Sequence, residues 1–97
     1  MKHACYTELA EAGQVDRYRF QANQGQLLTA HAQRAAGVSL EPGLSLIDPS
    51  DAREMGRGAL GQGEVTVAGK LASGGMYTLA VSGGGSFGPY VVSLSLR

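Results

Sequence analysis

Residues 15–22 read V-D-R-Y-R-F-Q-A and carry the clearest strand pattern in the sequence. Side chains two positions apart in an extended strand lie on the same face, so alternating apolar and polar residues predict a half-buried strand. The alternation gives an apolar side, Tyr18, Phe20 and Ala22, and a polar side, Arg17, Arg19 and Gln21. The sequence N-Q-G at 23–25 is typical of a turn, so we expect the chain to reverse there.

The same period of two returns at 44–46, 65–67, 77–81 and 90–96. Between these runs lie turn residues, of which D-P-S-D at 48–51 is the strongest signal. Short strands spaced about ten residues apart predict an all-β fold, an antiparallel, jelly-roll-like β-sandwich of about seven to eight strands. We expect a single domain, with the sandwich at 13–97 and a lead-in or first edge strand at 1–12.

One segment disagrees with this pattern. Residues 26–36, Q-L-L-T-A-H-A-Q-R-A-A, are rich in helix formers and precede Gly37, which could cap a helix. As a strand, the same residues would turn Leu28, Ala30 and Ala32 inward. The local pattern leaves helix and strand equally open.

Composition excludes several classes of protein. Among 97 residues, eight Lys and Arg balance eight Asp and Glu, so the net charge of zero argues against binding to nucleic acid or to an acidic membrane. No apolar stretch approaches the roughly 20 residues that cross a bilayer, and the N-terminus lacks the apolar core of a signal peptide. The single Cys5 excludes an internal disulfide and a cysteine-built zinc site.

Taken together, these segments resemble the bacterial pre-peptidase C-terminal domain, a β-sandwich module related in fold to the collagen-binding domains of clostridial collagenases. The resemblance rests on five short motifs in the same order: G-Q-V-D-R-Y-R-F at 13–20, G-Q-L-L-T at 25–29, L-S-L-I-D-P at 44–49, A-S-G-G-M-Y-T-L-A-V at 72–81 and G-P-Y-V-V-S-L at 88–94. It favours a strand over a helix at 26–36. The physical roles of these motifs are core filling and turn formation, so they predict architecture better than activity.

The resemblance implies a non-catalytic accessory or binding domain of a larger secreted or surface bacterial protein, serving secretion, stability or substrate attachment. It places the chain outside the cell, at the cell surface or in the periplasm. Its partners would be neighbouring domains of a parent protein or an extracellular polymer, protein or polysaccharide. Two alternatives stay open: a calcium-dependent collagen- or polysaccharide-binding module, and an assembly module that pairs through sheet edges.

The candidate binding residues are few. Arg17 and Arg19, with Gln21, form a polar strand face, and the glycine-rich loops 56–63 and 83–88 present further surface. Both loops contain G-x-G-x-x-G, but both lead into strand patterns, so we interpret them as hairpin loops and not as phosphate sites. Tyr6 and Phe87 are candidate exposed aromatic contacts, whereas Tyr18, Tyr77 and Tyr90 are expected in the core.

No catalytic residue is predicted, because no nucleophile, base and orienting group converge; His31 is expected to be a surface residue. No cofactor is expected either, although a calcium ion could use carboxylates at Asp48, Asp51 and Glu54. Turn formation explains the same residues. We expect Asp16 and Asp48 to accept backbone N–H groups at corners of the sandwich.

Overall fold

The structure is a computed structural model that describes residues 2–9, 13–37, 39–50, 52–55, 63–83 and 86–97; for 2–9 and 54–55 it describes the backbone alone. These residues form eight strands: β1 (Lys2–Leu9), β2 (Val15–Ala22), β3 (Leu27–Arg34), β4 (Gly43–Ile47), β5 (Arg53–Met55), β6 (Glu64–Lys70), β7 (Gly75–Ser82) and β8 (Gly88–Leu96). No helix in the described ranges is long and apolar enough to cross a membrane.

The strands form two four-stranded antiparallel sheets. The first sheet has the order β1-β8-β3-β6 and the second sheet the order β2-β7-β4-β5. Pairs form between β1 and β8, β2 and β7, β3 and β6, and β4 and β5, as if one long hairpin with its tip between β4 and β5 were rolled into two layers. This is the strand order of a jelly roll, so the predicted all-β, antiparallel sandwich is confirmed.

The segment 26–36, whose sequence left helix and strand equally open, contains a strand. Residues 27–34 form β3, which lies between β6 and β8 and pairs with both. Leu28, Ala30 and Ala32 are buried, the last two completely. Ladder hydrogen bonds on both sides and burial of one face therefore outweigh the helix propensity of these residues.

The core lies between the two sheets. Its residues are Ala22, Leu28, Ala30, Ala32, Leu40, Leu44, Leu46, Val65, Val67, Leu71, Tyr77, Leu79, Val81, Tyr90, Val92 and Leu96. Alternate positions of each long strand supply most of them, as a two-layer sandwich requires. Leu40 and Leu71 instead come from connections next to strands, and period-two alternation does not predict their burial.

The turn between β2 and β3 uses glycine for a specific reason. Gly25 has a φ of 87°, in the left-handed region that residues other than glycine rarely adopt. Its N–H donates to the carbonyl oxygen of Leu71 at 2.8 Å, and the Leu71 N–H donates to Gln26 at 2.9 Å. The turn after β2 is thus tied to the end of β6.

Candidate functional site

The outer face of the second sheet carries arginines on both edge strands. Arg17 and Arg19 lie on β2, and the register connects Arg19 through Thr78 and Ile47 to Arg53 on β5. Three strand spacings of about 4.8 Å separate Arg19 from Arg53, so their Cα atoms lie about 14 Å apart. We call this surface the arginine face.

Most side chains in the middle of the arginine face are short. The two central strands contribute Thr78, Ala80 and Ser82 from β7 and Gly43 and Ser45 from β4. The larger side chains that these strands place on this face are Ile47, between Thr78 and Arg53, and Met76, opposite Gln21. The face therefore has long cationic side chains on its edge strands and mostly short ones between them.

The described carboxylates have partners elsewhere in the domain. Four carboxylate side chains are described, and each has a partner: Asp16 with Tyr90, Glu41 with Arg34, Asp48 with Ser50, and Glu64 with His31. Among the described residues, no carboxylate forms an ion pair with Arg17, Arg19 or Arg53. Within that part of the chain, the charge of the three arginines is therefore not neutralised by an ion pair.

Asp48 organises the turn between β4 and β5. One carboxylate oxygen, Oδ1, accepts the Ser50 N–H at 2.9 Å, the Ser50 hydroxyl at 2.7 Å and the Ala52 N–H at 3.0 Å. The Ser50 hydroxyl hydrogen bond is the main cause of a lowered pKa of Asp48. The predicted corner role of Asp48 is confirmed.

The calcium hypothesis concerns the same turn. Asp51 lies outside the described residues, and so does the side chain of Glu54, whose backbone belongs to β5. Across the described ranges, no three His, Cys, Asp or Glu side chains come together in a group that could hold a metal.

Asp16 has a different role from the one expected at a corner. Its Oδ2 accepts the Tyr90 hydroxyl at 2.6 Å, and its Oδ1 accepts Gln14 Nε2 at 2.8 Å. Tyr90 has one hydroxyl proton and gives it to Asp16, so Tyr18, 2.7 Å away, donates to Tyr90. Among the described residues the donors to the Asp16 carboxylate are these side chains, whereas the sequence predicted backbone N–H groups.

This chain of hydrogen bonds connects the two sheets at one side of the sandwich. Tyr90 is completely buried, and burial, followed by the hydrogen bond to Asp16, raises its pKa well above the usual range. Tyr77 is also buried, stacks on Phe20 with ring centroids 5.7 Å apart, and donates to the Ser73 carbonyl oxygen at 2.6 Å. Core positions are thus confirmed for Tyr77 and Tyr90, and Tyr18 packs against the core.

The remaining candidates lie on the first sheet and in the loops. Phe87 is 56% exposed, as expected. Tyr6 lies opposite Val91 in the β1–β8 ladder; for this residue the structure describes the backbone alone. Of the loop 56–63 only Gly63 is described, and of the loop 83–88 residues 84–85 are not.

The described part of the loop 83–88 is a tight turn that precedes β8. Ser86 donates to the Gly83 carbonyl oxygen from its N–H at 2.9 Å and from its hydroxyl at 2.6 Å. The same hydroxyl accepts the Glu41 N–H at 3.0 Å. The loop leads into β8 and not into a helix, so the dipole-backed phosphate site of a helix N-terminus does not arise here.

Sequence reasoning missed Arg53. Strand β5 has three residues, too few for a period of two to be recognised, and it pairs only with β4 among the described strands. Only the turn signal at 48–51 could have indicated that a short returning strand follows. A depression of about 230 Å³ near Arg53, lined also by Asp48, Lys70 and Tyr77, is smaller than typical small-molecule sites.

No protein-family model matches the chain, and no curated protein matches its sequence. A solved structure does match: PliG of Aeromonas hydrophila, a periplasmic inhibitor of g-type lysozyme, with a TM-score of 0.75 and 18% identity. The match covers 99% of this chain and 86% of PliG. At this identity the match shows a shared fold.

Proposed function

We propose that this chain is a non-catalytic, protein-binding accessory domain of an exported bacterial protein, and that it binds through the arginine face. The observation that carries the proposal is the separation of charge. The four described carboxylates are used inside the domain, whereas Arg17, Arg19 and Arg53 form no ion pair with any of them. Arginine is enriched in binding surfaces because it forms paired hydrogen bonds to carboxylates.

Two further observations support the proposal. The fold is shared with PliG, a periplasmic inhibitor of g-type lysozyme, and this supports a protein-binding role. The resemblance of the five sequence motifs to the pre-peptidase C-terminal domain supports an accessory role next to a catalytic domain. Exposed cations that form no ion pair with the described carboxylates also speed the approach of an acidic partner.

The test is a comparative capture experiment. The domain is immobilised as wild type and as the double variant Arg17→Glu/Arg19→Glu, and each is exposed to periplasmic and secreted proteins of the source bacterium. We expect at least one protein to bind the wild type and to be lost, by about tenfold or more, from the double variant.

Arg97→Glu is the control, because Arg97 is an exposed cation whose backbone pairs with Leu27 of β3 in the first sheet. It shifts the net charge in the same direction without touching the arginine face, and binding should persist. If no protein distinguishes the wild type from the double variant, or if Arg97→Glu weakens capture equally, the arginine face is not the binding surface.

A second candidate function is inhibition of a cell-wall hydrolase, favoured by the match of almost the whole chain to PliG. The assay measures the clearing of a cell-wall suspension by g-type lysozyme with and without the domain. Equimolar domain should suppress clearing. Undiminished activity at about a tenfold molar excess would discard this candidate.

The calcium-dependent alternative has its own test. Calorimetry of the domain with millimolar calcium, with Asp48→Asn as the comparison, would give binding heat and a rise in melting temperature only if a calcium site exists. Absence of both would remove the calcium-dependent collagen or polysaccharide module from consideration.

A further inference from the structure

Strand β2 is a regular, eight-residue edge strand. Among the described strands it pairs with β7 alone, and it contains no proline. An edge strand exposes a row of backbone N–H and C=O groups that another extended chain can pair with. No other described strand occupies this edge, and its side chains decide which added chain fits.

The inner side of β2 is incompletely covered. Asp16, Tyr18 and Phe20 are half-buried, whereas the residues opposite them on β7, Val81, Leu79 and Tyr77, are almost completely buried. The core thus has an open rim along β2, formed by two aromatic rings. An added strand with apolar residues on this side would cover that rim.

The outer side of β2 opposes pairing with a second copy of itself. Two copies of β2 can pair antiparallel with their polar sides on the same face. The two such registers with the longest overlap place either Tyr18 or Arg19 opposite the same residue of the other copy. The first places Arg17 opposite Arg19 of the other copy, and the second places Arg19 opposite itself. Residues opposite each other in a ladder are about 5 Å apart, and like charges at that distance are destabilising.

We infer that β2 accepts, by strand addition, an extended segment of a partner protein in which acidic and apolar residues alternate. The acidic residues would meet Arg17 and Arg19, and the apolar residues would cover Tyr18 and Phe20. Recognition of this kind draws affinity from backbone hydrogen bonds and specificity from alternate side chains. This inference rests on the proposed protein-binding function and names the partner segment for one edge of the arginine face.

The test uses fluorescein-labelled peptides of about ten residues, the upper length of ordinary strands. The probe alternates Glu with Val; one control alternates Lys with Val, and a second has the probe's composition with all Glu before all Val. Fluorescence anisotropy should show the probe binding at least about tenfold more tightly than either control, and less tightly in high salt.

Variants locate the site. Arg17→Glu/Arg19→Glu should weaken probe binding about tenfold or more, and Arg53→Glu, on the opposite edge strand, should weaken it less. Arg97→Glu, at the first sheet, is the control and should change it less than about twofold. Circular dichroism and melting of each variant exclude unfolding as the cause. In amide exchange, alternate N–H groups of β2 should become protected on binding, because those face away from β7.

The outcomes separate this inference from the proposed function. If Arg53→Glu weakens binding as much as the β2 variant, or if the perturbed residues centre on Thr78 and Ala80, the partner lies on the face and strand addition is wrong. The proposed function would still stand after that result. It would also stand if the peptide did not bind but capture still depended on Arg17 and Arg19; in that case only strand addition would be wrong. If capture fails as well, both are wrong.

Discussion

Replacing Tyr90 by phenylalanine tests the hydrogen-bond chain that connects the two sheets. The change preserves the buried ring and removes one hydroxyl, which donates to Asp16 at 2.6 Å and accepts from Tyr18 at 2.7 Å. A hydrogen bond to a charged group contributes about 1.5–3 kcal/mol and a neutral one about 0.5–1.5 kcal/mol. Asp16 is half-buried and keeps Gln14 as a donor, so the lower part of the combined range applies, about 2 kcal/mol.

The loss should depend on pH in a defined direction. Burial raises the pKa of Tyr90 in the folded state, while in the unfolded chain it is about 10. The unfolded state therefore gives up this proton first, and the stabilisation by Tyr90 is complete below pH 10 and lost above it. By pH 11 the wild type should lose about 1.4 kcal/mol through this group, a loss that Tyr90→Phe cannot show.

Urea unfolding at pH 8 and pH 11 measures both effects. The difference between wild type and Tyr90→Phe should be about 2 kcal/mol at pH 8, equivalent to about 8–16 °C in melting temperature for a domain of this size. It should shrink to about 0.6 kcal/mol at pH 11. Tyr18→Phe is the control, because it retains the Tyr90–Asp16 bond and should cost about 1 kcal/mol. A difference that is constant or larger at pH 11 would refute the reasoning.

The remaining predictions concern two turns. Gly83→Ala would place a methyl group against the Ser86 carbonyl oxygen and 2.7 Å from Leu40 Cδ1, and should cost about 1–3 kcal/mol in urea unfolding, whereas Gly69→Ala, with nothing within 4 Å, should not destabilise. If both alanine variants behave alike, the close contact at Gly83 is not limiting. Asp48→Asn should lower the melting temperature at pH 7. The difference from the wild type should close as the pH falls below 3.8, because the pKa of Asp48 is lower in the folded state and its stabilisation is lost when the carboxylate is protonated. A difference in melting temperature that persists at low pH would contradict this.

The faces of the long strands could be predicted because period-two alternation directly reports which side is buried. Residues 15–22 and 75–82 show this in the structure as in the sequence. For β3 the alternation was not decisive, because its alanines favour a helix over a strand. Its conformation is set by β6 and β8, two strands far away in sequence, and local propensity carries no information about them.

The candidate site residues could likewise be predicted where they lie in long alternating runs, and not where they depend on contacts distant in sequence. Arg17 and Arg19 could be placed on an exposed face because they belong to a long alternating run. The partner of Asp16 could not be predicted, because Tyr90 is 74 positions away and local turn chemistry suggested backbone donors. Arg53 was missed since its strand is too short to show a period.

The arrangement of the arginine face follows from the fold itself. In a four-stranded sheet the central strands have neighbours on both sides, and here β7 and β4 carry short outer side chains such as Ala80 and Ser45. Edge strands have one neighbour, so β2 and β5 can hold long arginines whose cationic ends stay in water. The same arginines protect the β2 edge from pairing with another copy, as charged edge residues do in other sheet proteins. Protection against self-association and selection of an acidic partner are therefore one property of the edge, because the positive charge that rejects an identical strand attracts an acidic one.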